Sequence, residues 1–252
     1  MHTLLDFGEQ AVERLFEEGC RLVIVACNTM SCVALRHLQR HYCPPGGDRR
    51  VLGVTIPAAE AAVAHSAGHI GVLATRRTIA SGTYPTEIRK LSPGHRVTSA
   101  AAPLLASIVE EGWEDTDVAR EAVRRYLAPL AGIDTLVLGC THYPFLEDAF
   151  RAALPAHVHL LDPAPHVALR LATWMERHPG FVEPGSGRLR VLCTGDPSAF
   201  VAHGTRFLAR TLPQVETIAE VGGRLAPREG HVEPRGQVVR PKRDRADGGT
   251  AG

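Results

Sequence analysis

No apolar stretch in the 252 residues approaches the roughly 18 to 20 needed to cross a membrane. The opening residues Met1, His2, Thr3, Leu4, Leu5 and Asp6 also lack the basic segment followed by an apolar one that marks a secretory signal. No membrane span and no export signal are expected, and a cytoplasmic chain is the expectation. Charge of one sign is missing too: 28 basic side chains face 27 acidic ones, for a formal net charge of +1. Nucleic-acid binding normally needs a clustered basic face, so no nucleic-acid partner is expected. Basic residues do gather near the end, at Arg235, Arg240, Lys242, Arg243 and Arg245. The segment 227–252 around them nearly lacks large apolar groups and reads as a disordered tail, because it has too little surface to bury against its ordering entropy.

The cysteines, at positions 20, 27, 32, 43, 140 and 193, form no CxxC pair. That spacing gives no zinc site, and no metal is expected. A cytoplasmic chain keeps its thiols reduced, so the even count does not imply disulfides.

What is present is a core-forming composition, 44% hydrophobic, enough for one large or two modest domains. Its pattern alternates helix and strand. Helical spacing of apolar residues covers 7–18, 29–41, 58–66, 78–91, 104–111, 116–130, 144–154, 164–177 and 197–208, while short β-branched runs at 22–26, 51–56, 70–75, 97–101, 136–139, 159–162 and 189–194 read as strands. This rhythm predicts an α/β fold with mainly parallel sheets flanked by helices.

Two strands end alike. Leu22, Val23, Ile24, Val25 and Ala26 run into Cys27, Asn28 and Thr29; Leu136, Val137, Leu138 and Gly139 run into Cys140, Thr141 and His142. The carboxyl ends of parallel strands open onto the crevice where α/β sheets bind ligands, so two thiols are expected on one cleft. A cysteine that opens a helix feels the positive end of the helix dipole, which favours the thiolate. One such cysteine would suggest a nucleophile. Two, from similar half-structures, suggest proton removal on one face of a carbon and delivery on the other. Cys20, Cys32 and Cys193 read as structural, and Asp162 and Asp196 as helix caps.

The two signatures, Ala26 to Thr29 and Gly139 to Pro144, together with Gly71 to Thr78, Ser81, Tyr84 and Ile108 to Gly112, resemble glutamate racemase, of the cofactor-independent aspartate/glutamate racemase superfamily, over roughly residues 8–221. The resemblance implies two similar α/β domains with the active site in the cleft between them: residues 1–54 with 166–226, N-terminally incomplete, and residues 55–165. It implies Cys27 and Cys140 as the two acid/base residues, each serving one enantiomer, with His142 assisting Cys140. Asn28, Thr29, Thr75 and Thr141 would hold the carboxylate and amino group of glutamate, and Glu110 matches an acidic position of the family. Read without the resemblance, His142 is a helix cap and Glu110 a solvated helix residue. No cofactor is implied, the product would be D-glutamate for peptidoglycan precursors, and a homodimer is left open.

Members of that family also begin with a strand ending in Asp-Ser and a glycine-rich turn, and carry Pro-Tyr-Gly before the first cysteine. Only 26 residues precede Cys27 here, with neither motif. About forty residues are therefore expected to be missing, through a misassigned start or a truncated gene. Three other readings fit the residues: a racemase of aspartate or another small acid, a truncated inactive amino-acid-binding protein, and a redox protein using the two cysteines.

Overall fold

The computed structural model describes residues 2–182, 185 and 187–227. In chain order the elements are α1 (His2–Glu17), β1 (Leu22–Val25), α2 (Asn28–Val33), α3 (Leu35–Tyr42), β2 (Arg50–Gly53), α4 (Thr55–His65), β3 (His69–Ala74), α5 (Arg76–Ala80), α6 (Thr83–Leu91), β4 (Arg96–Ala101), α7 (Leu104–Glu110), α8 (Asp117–Leu127), β5 (Thr135–Gly139), α9 (Glu147–Ala153), β6 (His159–Leu161), α10 (Pro163–Arg177), β7 (Val191–Cys193), α11 (Pro197–Leu208), β8 (Val215–Val221) and β9 (Arg224–Pro227). The expected α/β alternation is present, with parallel sheets flanked by helices. Residues 1–182 form one compact unit and residues from 183 onward another.

In the first unit, β1 and β2 pair in parallel, Val25 opposite Gly53. A second, all-parallel sheet has the order β4-β3-β5-β6. The chain leaves β3 to one side for β4 and returns to its other side for β5, so the strand order reverses between β3 and β5. The ends of such a pair diverge and leave a crevice. Ala74 of β3 is opposite Gly139 of β5, which brings Thr75 and Cys140 out of the sheet side by side.

Small residues let α4 lie close on this sheet. Ala58, Ala59 and Ala62 are fully buried, and pack with Ile70, Val72 and Ile88. Each fully buried Ile or Leu contributes about 1.5–3 kcal/mol of transfer free energy. Around the two-stranded sheet, Val12 and Phe16 of α1 meet Val23, Leu38 and Val51. Gly53 is required here by space: a Cβ there would lie 2.5 Å from Leu35 Cδ2 and 2.9 Å from Ser31 Oγ.

In the second unit β7 pairs in parallel with β8, and β8 forms an antiparallel hairpin with β9. Gly222 and Gly223 make its turn, at φ of 60° and 85°, angles that side chains other than glycine rarely adopt.

Several boundaries differ from the pattern reading. α1 begins five residues before Phe7 and includes Asp6, because Leu5 adds a contact to the α1 core. The single helix expected over 29–41 is two, meeting at the buried Ala34, whose φ of −112° departs from helical values. The helix expected over 78–91 is also two, split by Gly82 at φ 64°. Residues 54–56 turn into α4 rather than extending β2. The hairpin of β8 and β9 was not anticipated, and Pro227 belongs to it. The remainder of the expected tail, 228–252, lies outside the described residues, and the expected division at residues 54 and 55 falls at the turn from β2 into α4.

Candidate active site

Cys27 follows β1 and is the N-cap residue of α2, at extended φ and ψ of −71° and 122°. Its side chain is exposed. The turn it leads is held by Ser31, whose hydroxyl donates to the Val25 carbonyl at 2.8 Å and accepts from the Val54 N–H at 3.3 Å. One serine thus ties together the ends of both strands in the small sheet. Asn28 is buried beside Cys27, and its Oδ1 accepts from the Tyr84 hydroxyl at 2.6 Å. Thr29, one residue on, meets the other sheet: its Oγ1 is 2.9 Å from Thr75 Oγ1 and 3.0 Å from Thr78 Oγ1.

Thr75 caps α5, accepting from the Thr78 N–H at 3.3 Å, while the Thr75 and Thr78 hydroxyls are 3.0 Å apart. Three hydroxyls from β1–α2 and β3–α5 therefore close a triangle. The sequence reading named Thr29 and Thr75 but gave Thr78 no role. The signal was the three-residue spacing of two threonines at a helix start, where the second is within reach of the first.

Cys140 stands at the end of β5, buried at 8% exposure. His142 Nδ1 is 3.7 Å from its sulfur, and on the far side of the ring His142 Nε2 is 3.1 Å from Glu110 Oε1. The order is thiol, imidazole, carboxylate, contributed by the β5 end and α7. A carboxylate on one ring nitrogen fixes the imidazole's orientation. His142 is also the N-cap residue of the 3₁₀ turn that follows, without a side-chain cap bond, and Glu110 is an exposed residue at the end of α7, so the pairing is added to the cap and solvated readings rather than replacing them. Thr141 is exposed and its hydroxyl makes no side-chain hydrogen bond among the described residues.

Dipole stabilisation of the Cys140 thiolate is not the dominant effect. Burial pushes this thiol up, a hydrogen bond from the His142 backbone N–H opposes the shift, and the charges of Cys27 and Glu110 push it further up. The physical reason lies in the local fold: four residues of 3₁₀ helix, Tyr143–Leu146, follow Cys140 rather than an α-helix, so little aligned dipole points at the sulfur. Cys27 is one of the charges that act on Cys140.

Cys32 lies further along α2 and also feels the charge of Cys27. Its sulfur is 3.4 Å from Thr55 Oγ1, and burial raises its thiol despite that contact, which suits a structural group. Among the described residues no group of three or more His, Cys, Asp or Glu side chains has the arrangement to hold a metal ion.

Comparison with known proteins gives the same picture. The Asp/Glu/hydantoin racemase family model matches residues 8–171. A glutamate racemase of Desulforudis audaxviator is 38% identical over 229 residues, covering 86% of this chain and 81% of that protein. One from Roseobacter denitrificans is 37% identical over 224 residues, covering 83% and 81%. Among solved structures, the glutamate racemase isoform RacE1 from Bacillus anthracis superposes with a TM-score of 0.79 at 32% identity, over 86% of this chain and 80% of that one. The Francisella tularensis glutamate racemase, solved with D-glutamate, superposes with a TM-score of 0.78 at 26% identity, with the same coverage. The chain belongs to the Asp/Glu/hydantoin racemase family, and within it to the glutamate racemases, which are isomerases.

Proposed function

We propose that this chain interconverts L- and D-glutamate by two-base proton transfer between Cys27 and Cys140, without a cofactor. One thiolate removes the α-proton from one face of the amino acid while the opposite thiol delivers a proton to the other face. The roles exchange for the opposite enantiomer. The observation that carries this reading is the pairing of two unlike cysteine environments: Cys27, exposed and beside the buried Asn28, and Cys140, buried and backed by His142 and Glu110.

The α-proton of an amino acid is a very weak acid, so a thiol base needs a site that stabilises the carbanion-like transition state with fixed dipoles. Asn28, Thr29, Thr75 and Thr141 are the groups proposed to hold the substrate's carboxylate and amino group. His142, oriented by Glu110, would relay or stabilise charge at Cys140. The halves 1–54 and 55–165 each contribute one cysteine, and closure about the substrate would exclude water from the reacting carbon. The setting proposed is the cytoplasm, with D-glutamate supplied to peptidoglycan precursors.

The test is incubation of the full chain with L-glutamate in deuterated water, following α-deuterium uptake and D-glutamate formation beside Cys27→Ser and Cys140→Ser. Racemisation that is lost in both variants is the expected result. Racemisation that persists in either variant would exclude the two-thiol mechanism, whereas α-deuterium exchange with retained configuration in one of them is what a single remaining base allows; a folded wild type that neither exchanges nor racemises would exclude the activity.

A further inference from the structure

One buried phenol decides which end of the Asn28 amide faces the site. Tyr84 is 1% exposed, and its hydroxyl donates to Asn28 Oδ1 at 2.6 Å. That length belongs to an O–H···O bond rather than to an N–H···O bond. Burial, and then the charges of Cys32 and Cys140, hold the phenol far above its ordinary range, so it remains a donor at any working pH. With Oδ1 occupied, the remaining polar group of the side chain is Nδ2, a donor only. Asn28 is 5% exposed, and among the described residues its Nδ2 donates to no protein acceptor. Nδ2 is not among the fully buried unpartnered atoms, so it remains reachable from the site and free to donate to an anion.

The same ring reaches the other cysteine. A Cβ at Gly139 would lie 3.5 Å from Tyr84 Cε2, and Gly139 directly precedes Cys140. Thr83, its neighbour on α6, donates to the Cys32 carbonyl at 3.1 Å, which fastens α6 to α2. A single side chain on α6 therefore abuts the strand end before Cys140 and grips the residue after Cys27.

We propose that Tyr84 is a positioning residue, whose hydroxyl locks the Asn28 amide with Nδ2 turned toward the carboxylate of an amino-acid substrate. The proposal rests on the glutamate reading above and assigns Tyr84 a role in substrate affinity rather than in proton transfer.

A double-mutant cycle tests it. Tyr84→Phe removes one oxygen and keeps the ring. Its expected effect is a rise of about tenfold in glutamate Kd by calorimetry and in KM, with kcat changed less than about threefold, the pattern of lost ground-state and transition-state binding alike. In an Asn28→Ala background the same substitution is expected to cost less than about twofold, because its target is gone. A purely structural tyrosine would cost the same in both backgrounds. Asn28 is also the chain's only asparagine, so protein grown with ¹⁵N-asparagine shows one side-chain NH₂ pair. In the wild type that pair is expected to be sharply resolved and to shift with glutamate; in Tyr84→Phe it should move toward the shifts of an amide free to turn about its Cβ–Cγ bond.

Unchanged Kd and KM in Tyr84→Phe, or an undiminished penalty in the Asn28→Ala background, overturns the proposal while leaving the racemase reading intact. Should Tyr84→Phe fail to fold, the wild-type resonance decides: an NH₂ pair that ignores saturating glutamate overturns it. A wild type that neither binds glutamate nor exchanges its α-hydrogen overturns the racemase reading, and this proposal with it.

Discussion

Glu110 and Cys140 approach His142 from opposite sides of its ring, the carboxylate at Nε2 and the sulfur at Nδ1, at 3.1 Å and 3.7 Å. An imidazole so held cannot turn without losing one partner. Glu110→Gln keeps the shape and removes the charge, and is expected to lower kcat/KM about tenfold, about 1.4 kcal/mol in barrier. Because the two enantiomers have equal free energies, kcat/KM must fall by the same factor from L- and from D-glutamate. Any asymmetry belongs in kcat and KM separately, and initial rates in both directions measure it. A change below twofold would show that Glu110 does not act through His142.

The burial of Cys140 has a consequence for pH. A thiol pushed up by desolvation supplies little thiolate near neutrality. The rate in the direction that uses Cys140 as base should therefore still be rising at the ordinary thiol value of about 8.5, and turn down only at the more alkaline pH where the opposite thiol no longer carries the proton it must deliver. Circular-dichroism assays of each enantiomer between neutral and alkaline pH check the limb. A plateau already reached at neutral pH would contradict it.

Thr75 joins a helix cap to the hydroxyl triangle. Thr75→Val preserves volume but removes the acceptor for the Thr78 N–H and the contact with Thr29. Loss of an N-cap of this kind costs about 0.5–2 kcal/mol, or a Tm lower by roughly 1–8 °C at about 2–4 °C per kcal/mol for a chain of this size. Scanning calorimetry measures the shift, and an unchanged Tm would mean that the cap bond carries no stability.

At the amino end of the larger sheet, Asp134 accepts from the Ser66 hydroxyl at 2.6 Å and from the His69 N–H at 2.8 Å. Burial acts to raise this carboxyl, but hydrogen bonds, led by those from Ser66 and the His69 N–H, together outweigh it and the net shift is downward. A depressed folded-state value means that the stabilisation is complete above the unfolded carboxylate range of about 3.9 and is lost as pH falls through the lower, folded value. Asp134→Asn is expected to cost about 1–3 kcal/mol at pH 7 and much less in acid. Urea titrations at both pH values decide it; an equal cost at both would refute the ionised-acceptor account.

Much of this architecture was legible in the sequence because parallel buried strands write themselves as β-branched runs, and the turns after them as small polar residues. Ile70 to Ala74 and Leu136 to Gly139 are the clear cases, and Cys27, Asn28, Thr29, Thr75 and Cys140 follow from where those runs stop. Breaks inside helices were harder. Gly82 left a trace, but Ala34 is a strong helix former and nothing local marks the end of α2 there; packing overrides propensity. Thr78 and Tyr84 were visible as residues yet silent as partners, since their bonds join segments 49 and 56 positions apart and no periodicity encodes such pairings. The thiol of Cys140 was misjudged for the same reason: burial by distant segments outweighs the local dipole. The β8–β9 hairpin was overlooked because its second strand begins a polar, glycine-rich stretch.

Gly139 has a strand neighbour that fixes its identity. A Cβ there would lie 2.8 Å from the Ala74 Cβ and 3.1 Å from the Leu73 carbonyl oxygen, so Gly139→Ala is expected to cost about 1–3 kcal/mol through overpacking and to displace Cys140. Thermal unfolding together with the exchange assay would detect both effects, and full activity at an unchanged Tm would disprove the constraint. Volume, not backbone angle, is what is rationed at this position. In a randomised library, then, tolerance should be governed by its neighbour: an alanine at 139 would become acceptable only in clones that had also trimmed residue 74 to glycine, a compensatory pair that selection could reveal without any structure at all.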